Sequence, residues 1–338
     1  MTMPAPLLAV DAVTRAYPLP RPHPLAPRPR RQAVAGVSLS LAAGESLGVV
    51  GESGCGKSTL ARLVTALERP EAGRVRIAGV DPHALGKADL RRLRRRVQMV
   101  FQDPMGSLDP RWPVARVVAE PLAGLAPEVA RTDRRRRVTA ALAAVGLGAD
   151  ALDRYPHQFS GGQRQRIAIA RALVTDPDLV VADEPVSALD VSVQAQVLNL
   201  FLDLRTRRGL ALLFISHDLD VVRHVTERVL VMVQGHAVET GPTVDVLARP
   251  AHPHTTALKA AVPRLAAAWE GRTRRHHAAA PPSPAGMPAE AGGGCVYRAR
   301  CPWAVARCRT EAPALAPVAP DRVAACHRAP EVLASASG

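Results

Sequence analysis

The rhythm of apolar and polar positions changes several times along this chain, and each change marks an element. Residues 7–17 and 33–41 alternate with a period of two and are rich in valine, the pattern of half-buried strands. Residues 46–50 are a short apolar run that leads into a glycine-rich loop at 51–56, and 57–67 then read as a helix. Further apolar runs of strand length fall at 179–182 and 210–215, and helical spacing recurs at 164–173 and 193–205. Residues 228–234 and 237–240 flank Gly235 and predict a hairpin. The arginine- and alanine-rich stretch 90–148 predicts helix, broken at Pro104, Pro110, Pro113 and Pro121. Strands alternating with helices predict an α/β fold around a mainly parallel sheet.

Two segments lack any such period. Residues 18–31 are proline and arginine, which cannot enter a sheet interior and predict a loop at the domain's edge. Residues 264–294 are alanine, proline, glycine and arginine and predict a linker. No apolar run approaches the ~18–20 residues that span a bilayer. The N-terminus has neither the charged nor the apolar region of a leader peptide, so the expected location is cytoplasmic. The net charge is +14, which would suit nucleic acid, yet aromatic residues make up only 3%. Binders of single strands need aromatic platforms beside their basic groove. The clusters Arg91–Arg96 and Arg134–Arg137 therefore read as solvated helix faces, and no nucleic-acid partner is expected.

The candidate chemistry starts at residues 51–58, GESGCGKS, which match G-x-x-x-x-G-K-S/T between a strand and a helix. Gly51, Ser53, Gly54, Cys55 and Gly56 supply a curled backbone whose N–H groups face phosphate, Lys57 adds a charge, and Thr59 continues the helix start. The Ser58 hydroxyl suits Mg²⁺. At Cys55 a small side chain suffices; an exposed thiol there would make ATP binding sensitive to alkylation. The apolar strand 179–182 ends in Asp183 and Glu184, placing one carboxylate to reach Mg²⁺ through water and the next to orient or deprotonate an attacking water. A second turn, FSGGQ at 159–163, opens another helix and offers a further set of free N–H groups at a positive dipole end. Two such sites in one chain suggest ATP held between two subunits.

Read together, these motifs resemble the ATP-binding-cassette (ABC) proteins. The resemblance implies a P-loop NTPase with a RecA-like core, an antiparallel β subdomain and a helical subdomain at about 103–176, within a nucleotide-binding domain spanning 1–263. It implies that Gln102 is the glutamine that senses Mg²⁺, alongside Ser58 and Asp183, and meets the membrane partner. It also implies that Asp190 belongs to the D-loop, that His217 contacts the γ-phosphate, and that Tyr17 stacks on adenine. Ser160, Gly161, Gly162 and Gln163 would close on the partner's ATP. No internal repeat is visible, so the chain carries one cassette.

Residues 101–111, 183–196 and 252–255 narrow the resemblance to the ATPases of dipeptide, oligopeptide and nickel importers; Gly106 departs from the serine common in that group. This implies an ATP-hydrolysing subunit that works with two transmembrane permeases, a second ATPase and, indirectly, an extracytoplasmic peptide-binding protein. It would lie peripherally on the cytoplasmic face of the plasma membrane. A nickel or other small-solute importer ATPase remains open, as does a soluble DNA-acting ABC ATPase, although the latter group typically carries two cassettes or C-x₂-C zinc sites.

Residues 295–330 hold four of the five cysteines, Cys295, Cys301, Cys308 and Cys326, spaced C-x₅-C-x₆-C-x₁₇-C. In a reducing compartment disulfides are disfavoured, and so short a segment has too little core to bury four thiols. A metal centre would supply the missing folding energy. Zinc favours paired C-x₂₋₄-C knuckles, which are absent, while wider spacing suits a cubane with one thiolate per iron. The family resemblance implies a 4Fe–4S cluster; zinc, with His327 as a substitute ligand, is the alternative.

Overall fold

A computed structural model describes residues 5–23, 26–261 and 293–335, with 104 and 105 described in backbone only. The alternating segment forms β1 (Leu8–Pro18), which pairs antiparallel with β2 (Arg30–Leu41). Next come β3 (Ser46–Val50) and α1 (Lys57–Val64); β4 (Ala72–Ile77) then returns antiparallel to β1. The resulting sheet has the order β2-β1-β4. One face is apolar (Leu8, Val10, Val37 and Val75 are buried) and closes over α1 through Leu60 and Leu63.

The arginine-rich run divides differently from expectation. It contains α2 (Lys87–Arg96), the strand β5 (Val97–Val100), α3 (Pro104–Ser107), α4 (Val114–Leu125) and α5 (Arg131–Ala144). Pro104 opens a helix and Pro113 precedes one, places where a missing N–H costs nothing. Pro121 lies inside α4 and does not end it, because the buried Val117, Val118 and Leu122 hold that helix against its neighbours. The strand β5 escapes a periodicity reading: four residues flanked by arginines become a strand only through pairing with a distant partner.

That partner is β6 (Leu179–Asp183), which follows α6 (Gly161–Leu173). The helix α7 (Val191–Arg208), β7 (Ala211–Ser216), α8 (Leu219–Val225), β8 (Arg228–Val233) and β9 (His236–Pro242) complete the large sheet's main part. Its strands β8-β3-β7-β6-β5 are parallel, as the unbroken burial of β3, β6 and β7 requires, and β9 closes the predicted hairpin. Phe201 of α7 meets Phe214 of β7 edge-on at 5.7 Å. Truncating either to alanine would cost about 3–5 kcal/mol.

After α9 (Thr243–Ala248) and α10 (Pro253–Ala261), the predicted linker lies outside the described residues apart from Gly293 and Gly294. The cysteine-bearing tail contains α11 (Arg307–Thr310), β10 (Ala316–Ala319), β11 (Arg322–Ala324) and α12 (Ala329–Ser335). It continues the cassette's own sheet: β11 pairs with β9 and β10 with β11, giving eight strands in the order β10-β11-β9-β8-β3-β7-β6-β5.

Candidate active site

At the C-terminal end of β3 the chain must turn sharply into α1. Gly56 does this at φ +111°, and a Cβ there would sit 2.0 Å from the Ala33 carbonyl oxygen, so only glycine is accommodated. The loop leaves Lys57 almost buried, its ammonium donating to the carbonyls of Gly51 at 2.8 Å and Glu52 at 3.0 Å. Ser58 follows, and its hydroxyl donates to Asp183 Oδ1 at 3.2 Å. Burial pushes the Asp183 carboxyl above the usual carboxylate range, and the Ser58 hydrogen bond opposes that shift. A cation bound here would favour the ionised form.

Glu184 is where the other groups meet. Gln102 donates to its Oε2 at 3.1 Å, His217 Nδ1 lies 3.3 Å from the same oxygen, and the Lys57 ammonium is 3.9 Å from Oε1. Gln102 thus engages Glu184 here, while Ser58 and Asp183 are joined to each other by a hydrogen bond. Glu184 itself adopts φ +46°, with its N–H bonded to the Ile215 carbonyl of the adjacent strand. These groups border a cavity of about 490 Å³ whose lining also includes Tyr17, Ser53, Gly54 and Thr59. Tyr17 donates from its hydroxyl to Glu68 at 2.6 Å, and the Arg15 guanidinium lies over its ring.

The signature residues are separate from this cavity. Ser160 caps α6 by accepting from the Gln163 N–H, and the Gln163 side chain accepts from the Ser160 N–H, a reciprocal capping box. A Cβ on Gly162 would fall 2.3 Å from Val193 Cγ1, so the start of α6 is pressed onto the start of α7. Ser160, Gly161 and Gln163 remain exposed, as does Asp190 at the head of α7. None of them lines the cavity that holds Lys57 and Glu184.

Cys55 lies in the phosphate loop but faces the core at 6% exposure, and burial raises its thiol. The reading of Cys55 as a small packing side chain agrees with this burial, and the alternative of an exposed, alkylation-sensitive thiol does not. Sequence reasoning missed three residues. Arg31, at the end of the proline–arginine segment, lines the cavity and donates to the Gly54 carbonyl at 3.0 Å. Glu52 and Arg300 form an ion pair between the phosphate loop and the tail. The arginine-rich composition hid both arginines.

In the tail, all four cysteines are free of disulfides; Cys295 and Cys308 are buried, Cys301 and Cys326 half-buried. Burial, with the charges of Cys301, Cys295 and Cys308, pushes Cys326 up to about 11, and burial likewise raises Cys295 and Cys301. Among the described residues, no three His, Cys, Asp or Glu side chains converge as a site for a single metal ion. His327 Nε2 is instead 3.1 Å from the Glu311 carbonyl oxygen.

The family pattern described as ABC transporter matches residues 34–187, and that of the oligopeptide/dipeptide transporter C-terminal region matches 238–308. A probable peptide ABC transporter ATP-binding protein of Sinorhizobium fredii is 47% identical over 98% of this chain and 92% of its own. The oligopeptide transport ATP-binding protein of Salmonella typhimurium is 48% identical over 84% of each chain. Among solved structures, a dimeric ATP-binding cassette in a post-hydrolysis state with ADP and phosphate superposes with a TM-score of 0.62. It is 28% identical and covers 70% of this chain and 98% of its own.

Proposed function

The chain belongs to the ATP-binding subunits of ABC transporters in their oligopeptide/dipeptide class, and from that membership we propose how its residues divide the work. It is an ATP-hydrolysing subunit of a peptide importer, acting with membrane permease partners. The observation that carries the proposed mechanism is the physical separation of two half-sites. Lys57, Ser58, Glu184 and His217 border one cavity, with Asp183 hydrogen-bonded to Ser58, while Ser160, Gly161 and Gln163 stand exposed outside it.

In this reading the loop 51–58 holds the β- and γ-phosphates of ATP, Tyr17 stacks on the base, and Ser58 with Asp183 receives Mg²⁺, which Gln102 senses. Glu184 orients and deprotonates the attacking water, and His217 holds the γ-phosphate. Ser160, Gly161, Gly162 and Gln163 close on the nucleotide of a second ATPase, with Asp190 beside that interface; the dimer seen in the solved cassette supports this arrangement. Residues 1–263 serve as the nucleotide-binding domain with its helical part at about 103–176, set on the cytoplasmic face of the membrane. An extracytoplasmic binding protein would deliver the peptide. Glu184→Gln tests the assignment: ATP still binds, turnover stops, and a closed dimer accumulates. Turnover at the wild-type rate in that variant would remove Glu184 from the mechanism.

Among the described residues the thiols of the tail do not converge as a metal-ion site, and the reading of a metal group rests on their chemistry alone: four thiols free of disulfides within one short segment. Cys295, Cys301, Cys308 and Cys326 would hold a 4Fe–4S cluster, each thiolate going to its own iron. When bound, the cluster would cross-link the tail and supply folding energy to it. Anaerobically purified protein is expected to be brown, with matching iron and sulfide; colourless protein with stoichiometric zinc would replace iron by zinc.

A further inference from the structure

The tail touches the phosphate loop directly. Arg300, one residue before Cys301, donates from one guanidinium nitrogen to both carboxylate oxygens of Glu52, at 2.7 and 3.0 Å. The pair is no loose surface contact: the Arg300 side chain is 20% exposed and lies over the Tyr297 ring at 5.2 Å. Tyr297 is itself buried, packed against the rings of His252 and His254. His254 Nδ1 stands 4.0 Å from Glu52, and burial with the nearby Arg300 charge keeps that imidazole neutral. Arg300 is therefore the cation that faces the Glu52 carboxylate from the tail.

Glu52 occupies a sensitive place. Its backbone carbonyl accepts from the Lys57 ammonium and from the Cys55 N–H, so a shift of Glu52 moves both the catalytic lysine and the loop's curl. Its carboxylate is also a negative charge within a loop that must receive the triphosphate. Left uncompensated in partly buried surroundings, it would oppose phosphate binding. We propose that Arg300 is a positioning residue of the ATP site, holding and neutralising Glu52 so that the cysteine-bearing tail sets the nucleotide affinity of the cassette. The proposal rests on the reading that residues 51–58 hold ATP.

The test measures the affinity of the full-length chain for a fluorescent ATP analogue with Mg²⁺. Arg300→Gln is expected to weaken binding about tenfold, because the Glu52 charge is left unpaired. Arg300→Lys, which keeps the charge, recovers part of the loss. Glu52→Gln removes the offending carboxylate, so adding it to Arg300→Gln restores most of the affinity that Arg300→Gln loses. That rescue distinguishes the charge role from simple loosening of the tail, which Glu52→Gln would not repair. Wild-type affinity in Arg300→Gln, or a double variant weaker than Arg300→Gln alone, overturns the proposal while leaving the ATP reading intact. Absence of binding in wild type, with Lys57→Ala no different, overturns both.

Discussion

Glu184 shows how much a single side chain must satisfy before it can act as a base. It is held by the Gln102 amide, faces His217 and lies within reach of the Lys57 ammonium, so any nucleotide entering the cavity must redistribute these contacts. Removing the imidazole by His217→Ala should lower turnover by about 10²–10⁴-fold with ATP affinity little changed, as read by steady-state hydrolysis beside a binding titration. Cys55 makes the opposite case: buried and with its thiol raised, it should resist maleimide in the native chain with or without ATP. ATP-dependent labelling at that position, mapped by mass spectrometry, would contradict the packing described. His252 and His254 carry the pH dependence. Burial depresses them to about 3 and about 4, and His252 Nδ1 accepts from the His254 N–H, an arrangement that a protonated ring cannot keep. The unfolded chain, with histidines near 6.5, then binds more protons than the folded one below that pH. Stability is full above about pH 6.5 and falls as the pH drops toward 4. Thermal melting at pH 7 and pH 5 should show this loss, and His252→Gln should lessen it while His254 retains its share; an unchanged slope in the variant would exclude His252 as a source.

At the scale of elements, what joins the tail to the cassette is a buried ion pair beneath a strand pairing. Arg322 of β11 donates to Glu239 of β9 at 2.6 Å, with the two side chains 5% and 0% exposed. Glu239 also accepts from the N–H groups of Ala251 and His252, so it ties β9, β11 and the start of α10 together. Arg322→Met would leave that carboxylate buried with its charge uncompensated and should cost about 3–5 kcal/mol. Denaturant melts should read that loss, with β11 exchanging its amide hydrogens first. A surface-like loss below about 1 kcal/mol would mean that Glu239 finds another partner. None of this was legible in the sequence, and the reason is physical. The strands β3, β6, β7 and β8 announce themselves because both faces are buried and their residues are continuously apolar. By contrast, β5 has only four residues between arginines, β4 begins Ala72-Gly73-Arg74, and β11 consists of Arg322, Val323 and Ala324. Such strands exist through their partners, and pairing across a long sequence separation leaves no local period. The candidate nucleotide residues could be named from the sequence for the opposite reason: phosphate binding needs fixed side chains at fixed spacing along one stretch. Arg31 reaches Gly54, and Arg300 reaches Glu52, only in three dimensions.

For the molecule as a whole, the proposal turns on each ATP site being half a site. The groups proposed to bind and hydrolyse this chain's nucleotide border the cavity at the end of β3, while the capped N-terminus of α6 presents Ser160, Gly161 and Gln163 to solvent. A helix start of this kind offers free N–H groups and a positive dipole end to an anion, and a second copy or a related ATPase can supply that anion as its γ-phosphate. Mutating the signature should therefore spare this chain's own nucleotide and damage its neighbour's. Gly162→Asp is a stringent choice, since any side chain there meets Val193 and an acidic one also opposes phosphate. In an assembly with two different ATPases, Gly162→Asp should leave ATP affinity at the Lys57 site within about twofold, yet reduce hydrolysis at the partner's site by about 10²-fold or more. Photolabelling with an azido-ATP followed by separation of the two subunits would distinguish the sites. Loss confined to this chain's own site would show that the signature acts in cis and that the interface is arranged otherwise. The isolated chain is a poor place to look for the defect, because an assay of one subunit reports mainly the site that the mutation leaves untouched.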